Sequence, residues 1–168
     1  MLDHALTHLQ STTLAAAIRG ELPQAWLGWL FPNIETIHVI AIATVFGSIA
    51  MVDLRLLGMV GRRSSAAQIA AEYLPITWTA FAVAAFAGSL MFISKAVTYF
   101  HNLQFELKFL FMALAGLNML VFHCGAFRSV NRWNDQLPPP LPARLAGGLS
   151  LLFWIVVIFF GRWTGFTT

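Results

Sequence analysis

One run of residues restricts this chain more than any other: Asn33 to Gly61, NIETIHVIAIATVFGSIAMVDLRLLGMVG. As a helix it would be about 40 Å long at 1.5 Å per residue, against about 30 Å of bilayer hydrocarbon. Pro32 and Asn33 predict its start, with Asn33 as N-cap and Glu35 near the positive end of the dipole. Gly61 predicts its end, because glycine takes the left-handed position after a helix most easily. Inside the run only His38 near one end, and Asp53 and Arg55 near the other, interrupt the apolar side chains. A span with ionisable groups towards each face is a site hypothesis by default.

The rest of the chain agrees with a bilayer as solvent. Of its 168 residues 58% are hydrophobic and 10% charged, where soluble domains carry about 25% charged residues. The expected architecture is all-α and polytopic: a bundle of four transmembrane helices preceded by an N-terminal interfacial segment over 1–32, the transmembrane domain being 33–168. Leu2 to Arg19 reads as an amphipathic helix with Leu2, Leu6 and Leu9 on one side, ended by Gly20. Trp26, Leu27, Trp29, Leu30 and Phe31 then read as an aromatic anchor at the interface. Gly61 to Ser65 is a loop with serine caps, Ala66 to Leu74 a short helix that Pro75 kinks or ends, and Ile76 to Val97 the second span. Asn102 caps a third span, Leu103 to about Phe127; Arg128 to Pro142 is a loop; Ala143 to Trp163 is the fourth span.

Charge sets the expected orientation. Arg55, Arg62, Arg63, Arg128, Arg132 and Arg144 fall on one face, and Lys95, Lys108, Arg162 and the more distant Arg19 on the other. The first face is then cytoplasmic, with both termini outside, in a bacterial inner membrane. The net charge of +3 belongs to topology and lipid headgroups, and gives no footprint for nucleic acid. The N-terminus shows no cleavable signal pattern, so the first span is expected to act as the insertion signal. The single cysteine, Cys124, allows no internal disulfide.

The histidines then sort by depth. His38 and His101 are expected near the outer surface, where two imidazoles at one depth would serve as axial metal ligands of one haem b, with Lys95 and Lys108 meeting its propionates. Lys95, Met91, Gly88 and Ala84 share a helical stripe that leaves room for a flat group or a close helix. Each histidine also has an ordinary reading, a wet loop for His101 and a helix contact for His38. Asp53, Arg55 and His123 form an inner constellation. It reads either as a salt-bridged clamp, Asp53 pairing with Arg55, Arg128 or another inner arginine, or as a proton relay with His123. Lys108, Met112, Ala115, Met119 and His123 share one stripe along any route between the faces. His4 and His8, spaced i, i+4, have Asp3 as their only nearby third group and read as a solvated helix face.

The segments IHVIAIATVFGSIAMVDLRLLG and FELKFLFMALAGLNMLVFH, with Asp53-Leu54-Arg55-Leu56-Leu57-Gly58, Lys108, Asn118 and His123, resemble a family of small bacterial integral membrane proteins known only as a domain of unknown function. The resemblance covers most of the four-span region and implies a four-helix membrane protein. A looser similarity, to four-helix b-type cytochromes, rests on histidines in helices; the inner face offers only His123, which departs from the two-haem members. Three functions follow as expectations. The first is a one-haem redox protein working with a quinol or another membrane redox partner. The second is a non-catalytic accessory subunit of a larger membrane complex or homo-oligomer, packing through Ala43, Gly47 and Ala50 or Ala84 and Gly88. The third is a small proton-coupled transporter using Asp53 and His123. No nucleophile–base pair, phosphate loop or complete metal motif points to hydrolysis or phosphoryl transfer.

Overall fold

The computed structural model describes residues 1–24, 28–60, 64–134 and 139–167. It is all-α, with four helices long and apolar enough to cross a bilayer. In chain order the described elements are α1 (Leu2–Gln10), α2 (Thr13–Arg19), α3 (Leu30–Leu56), α4 (Ala66–Ser94), α5 (Ala96–Phe100), α6 (Leu103–Cys124), a 3-10 turn (Ala126–Ser129), α7 (Val130–Trp133) and α8 (Leu141–Thr167). The expected four-span bundle behind an N-terminal helical segment is therefore present. The expected anchor residues Trp26 and Leu27, the stop at Gly61, Arg62, Arg63, Asp135 and Pro138 lie outside the described residues.

Several boundaries differ from expectation, each for a local reason. α3 starts at Leu30, so Asn33 lies within the helix and caps nothing. Pro32 sits in the first turn, where a missing N–H removes no helical bond. The helix stops earlier too. Gly58 takes φ 77°, its N–H bonds the Arg55 carbonyl at 3.0 Å, and Met59 N–H bonds that of Leu54 at 2.9 Å, the paired closure of a Schellman motif. α4 runs unbroken through Pro75. The missing N–H leaves the Ala71 carbonyl without its helical donor; the hydroxyls beside it bond other carbonyls, Thr77 Oγ1 donating to Tyr73 O and Thr79 Oγ1 to Pro75 O, each at 2.9 Å. Ser65 and Gln68 close a capping box at its start, and Asn102 caps α6 through Phe105 N as expected.

α4 ends at Ser94, short of Val97, because Lys95 leaves the helical region at φ −141°, ψ 49°. The N-terminal segment covers this break. It is two helices rather than one, divided at Thr12, which caps α2. Arg19 Nη1 donates to Ser94 O at 2.7 Å and Gln10 O at 3.0 Å, and its other nitrogens grip Glu21. Gln10 Oε1 accepts from Val97 N at 3.1 Å. At the same end Asn102 Nδ2 donates to Thr167 Oγ1 at 2.8 Å. The first and last described residues thus lie on one side of the bundle.

The spans pack as two close pairs, α3 with α4 and α6 with α8, joined along an α3–α8 seam; the α4 and α6 backbones stay apart, their rings meeting at the α5 end, where Phe92 stacks on Phe105 at 5.6 Å. Ser48 and Thr77 hydroxyls meet at 2.8 Å in the first pair, and Asn118 Nδ2 donates to Ala146 O at 2.9 Å in the second. Gly147 fixes the seam. A β-carbon there would lie 2.9 Å from Asp53 O and 3.0 Å from Leu56 Cβ, whereas one at Gly148 would stand 3.8 Å from Leu57 Cδ2. Gly147→Ala should therefore destabilise the protein in detergent by about 1–3 kcal/mol, the usual cost of overpacking. Gly148→Ala should be neutral or stabilising by up to about 1 kcal/mol through helix propensity. Equal melting temperatures for the two variants would place the seam elsewhere.

Candidate functional site

The gap left between α4 and α6 is a cavity of about 160 Å³ in the half of the bundle nearest the α3 C-terminus. Ile49, Val52 and Asp53 face it from α3, Thr77, Trp78 and Phe81 from α4, Met112, Ala115, Asn118, Met119 and His123 from α6, and Ser150 and Trp154 from α8. Below it, Leu56, Ala66, Phe122, Trp133 and Ala143 form a buried apolar plug. Most of the wall is therefore apolar or aromatic, with few polar groups converging on it, which is the ordinary make-up of a small-molecule site.

Asp53 is the polar centre. It is only 5% exposed; the Ser150 hydroxyl bonds its carboxyl, and Oδ2 is buried with no hydrogen-bond partner among the described residues. The expected salt bridge is not formed there: among the described residues the ion pairs are Arg19–Glu21 and His101–Asp3. The reason is helical geometry. Residues two apart project about 200° from each other and do not face, so Asp53 turns to the cavity and Arg55 away from it. Arg55 instead donates from Nε to Ser64 O at 3.0 Å and from Nη2 to Asn134 O at 2.9 Å. Asn134 in turn accepts from Ala66 N through its carbonyl and from Ala67 N through its side chain. The arginine braces two loops to the start of α4. Arg128 and Arg144 are exposed and reach no acid among the described residues.

His123 does join Asp53 on the cavity wall. Its Nδ1 is 2.9 Å from Met119 O of its own helix; a carbonyl only accepts, so Nδ1 carries a proton, and in the neutral ring Nε2 is left as an acceptor. The expected stripe of Met112, Ala115, Met119 and His123 lines this cavity, while Lys108 does not. Ser150 and the tryptophans were not singled out by sequence. Ser150 had a signal, being a lone hydroxyl in the apolar run LAGGLSLLFWIVV.

The outer constellation is not gathered into one site. His38 Nδ1 lies 2.7 Å from Ala84 O, and its imidazole presses on Gly88, where a β-carbon would come within 2.9 Å of Cε1. The small face at Ala84 and Gly88 is thus filled by this ring. His101 faces Asp3 at 3.0 Å across the N-terminal helix and is exposed. Gly88 is about 9 Å of helix below Ser94, by the helical rise, and α5 adds a further turn before His101, so the two rings do not meet. Lys108 ammonium stands 5.9 Å from the ring centres of both Phe105 and Phe109. Lys95 sits at the helix break. His4 and His8 are exposed. Among the described residues no three His, Cys, Asp or Glu side chains are grouped to hold a metal ion. Ala43 and Gly47 are exposed on α3.

No curated protein and no solved structure matches this chain. A family match does exist and takes in every span together with the whole cavity wall: over residues 17–167 the chain belongs to DUF6644, a family of unknown function.

Proposed function

We propose that this membrane protein binds a small solute inside the bilayer, in the cavity between α4 and α6, with Asp53 as polar anchor and His123 as second polar contact. The observation that carries this reading is the Asp53 carboxyl oxygen, buried at the cavity wall without a partner among the described residues. A carboxyl inside a membrane needs a donor or a cation, and such groups mark solute and proton pathways. Exchange between a proton on Asp53 and a donor on the solute gives the proton coupling of a small transporter. An apolar carbodiimide dissolved in the bilayer tests it, since such reagents modify carboxyl groups in apolar surroundings. Peptide mapping should find Asp53 labelled well ahead of the exposed Asp3, Glu21, Glu35, Glu72 and Glu106. An unlabelled Asp53 contradicts the reading.

The arginine-rich end, with Arg55, Arg128, Arg132 and Arg144, is assigned to the cytoplasm of a bacterial inner membrane by the positive-inside rule. A reporter fused after Thr168 should then be active only when exported, and cytoplasmic activity reverses the orientation.

One observation supports a second reading, a one-haem electron carrier served by a quinol or another membrane redox partner. His38 Nδ1 must donate to the Ala84 carbonyl, which fixes the tautomer and leaves Nε2 free, the arrangement metal-bound imidazoles use. His38 would be one residue holding the haem; His101, held by Asp3, would have to leave that contact to join it. Reduced protein from haem-replete cells should show a b-type spectrum that His38→Ala abolishes. Colourless protein rules the reading out.

A further inference from the structure

We infer that the cavity takes the phenol or hydroquinone head of a lipid-soluble molecule whose alkyl tail leaves sideways between α4 and α6. This rests on the cavity being the binding site and adds the chemistry of its occupant. Size comes first. A dry protein cavity of about 150 Å³ holds one benzene ring, and the space beside Asp53 is about 160 Å³. The walls match a flat ring, with Phe81 and Trp154 among them and little polar surface besides Asp53, Ser150, Asn118, His123, Thr77 and the indole N–H groups of Trp78 and Trp154. The polarity of the head follows from what the wall lacks. Ser150 already bonds the Asp53 carboxyl and Asn118 spends its amide N–H on Ala146 O. Thr77 spends its hydroxyl on Tyr73 O. Asp53 Oδ2 and, on a neutral imidazole, His123 Nε2 remain, and with Asp53 ionised both take a donor from the ligand. A hydroxyl on an aromatic ring supplies a donor without the desolvation cost of a full charge.

The route is lateral. Beside the cavity the α4 and α6 backbones stay apart, their stacked pair Phe92–Phe105 lying at the other end, and two cavity residues, Trp78 on α4 and Met119 on α6, are 55% and 38% exposed. They stand at a mouth facing the acyl chains. The plug of Leu56, Phe122 and Trp133 closes the cavity towards the arginine-rich end. A molecule dissolved in the bilayer therefore reaches Asp53 without crossing a headgroup layer, and its tail can stay in lipid while its ring is bound.

Photolabelling in phosphatidylcholine vesicles tests this, using a 4-alkylphenol with a diazirine near the ring. Label should concentrate on α4 and α6 peptides around Trp78 and Met119. Free 4-hexylphenol should displace it at least tenfold better than 4-hexylanisole, its methyl ether, the ratio expected for one hydrogen bond to a buried carboxyl group. Asp53→Leu should reduce labelling at those peptides by a similar factor; the competitor ratio on unaltered protein stands whether or not that variant folds. Label spread evenly over the lipid-facing helices, or equal displacement by phenol and ether, overturns the inference. If either occurs while the carbodiimide still modifies Asp53, the cavity remains a site for a different solute. If Asp53 resists the carbodiimide as well, the site itself falls.

Discussion

Inside hydrocarbon a carbonyl or a charged side chain has no water to bond, and each one left unpaired costs several kcal/mol. The helix ends of this chain are built around that constraint. The break at Lys95 exposes backbone groups at Ser94 and Val97, and Arg19 and Gln10 come from the N-terminal helices to meet them. At the opposite end Arg55 is 1% exposed and satisfies the carbonyls of Ser64 and Asn134. Two buried polar atoms among the described residues stand outside this pattern, Arg55 Nη1 and Asp53 Oδ2, and the second lies where the helices leave room.

That room has a cause in the packing. Gly147 lets α3 and α8 approach until backbone and side chain would touch any β-carbon there. With that seam closed and each outer helix held to its own partner, α4 and α6 are kept apart, and the gap between them is the cavity. Small residues draw helices together in membranes because van der Waals contact and hydrogen bonds, not the hydrophobic effect, drive association. Here the same close approach on one side opens a site on the other, and it places Asp53 at the back of that site instead of on the lipid face.

The spans were legible from apolar length alone, and caps of the Ser65 and Asn102 kind from single side chains. Helix ends were less so. Asn33 offered a good cap, yet α3 starts one turn earlier through Pro32, and Gly58 closed the helix before Gly61 was reached. The candidate site was half legible. Asp53 and His123 were picked out because ionisable groups are rare in spans, and both face the cavity. Their partners were less legible, because depth along a span does not give direction. Asp53 and Arg55 share a depth but point apart, and His38 and His101 are separated by the extra turn of α5. Ser150, Trp78 and Trp154 join the site only through the pairing of helices, which no single span encodes.

The central claim is that Asp53 faces an open cavity and is not half of a salt bridge with Arg55. A double-mutant cycle between Asp53→Asn and Arg55→Met, read as unfolding free energy in detergent, measures that directly. Independent sites add within about 0.5 kcal/mol, and the account predicts additivity. Arg55→Met alone should be costly, because two loop carbonyls lose their donor at about 1–3 kcal/mol each, while Asp53→Asn should cost little. A coupling energy above about 1 kcal/mol, with Asp53→Asn strongly destabilising by itself, would contradict the account and restore the buried ion pair.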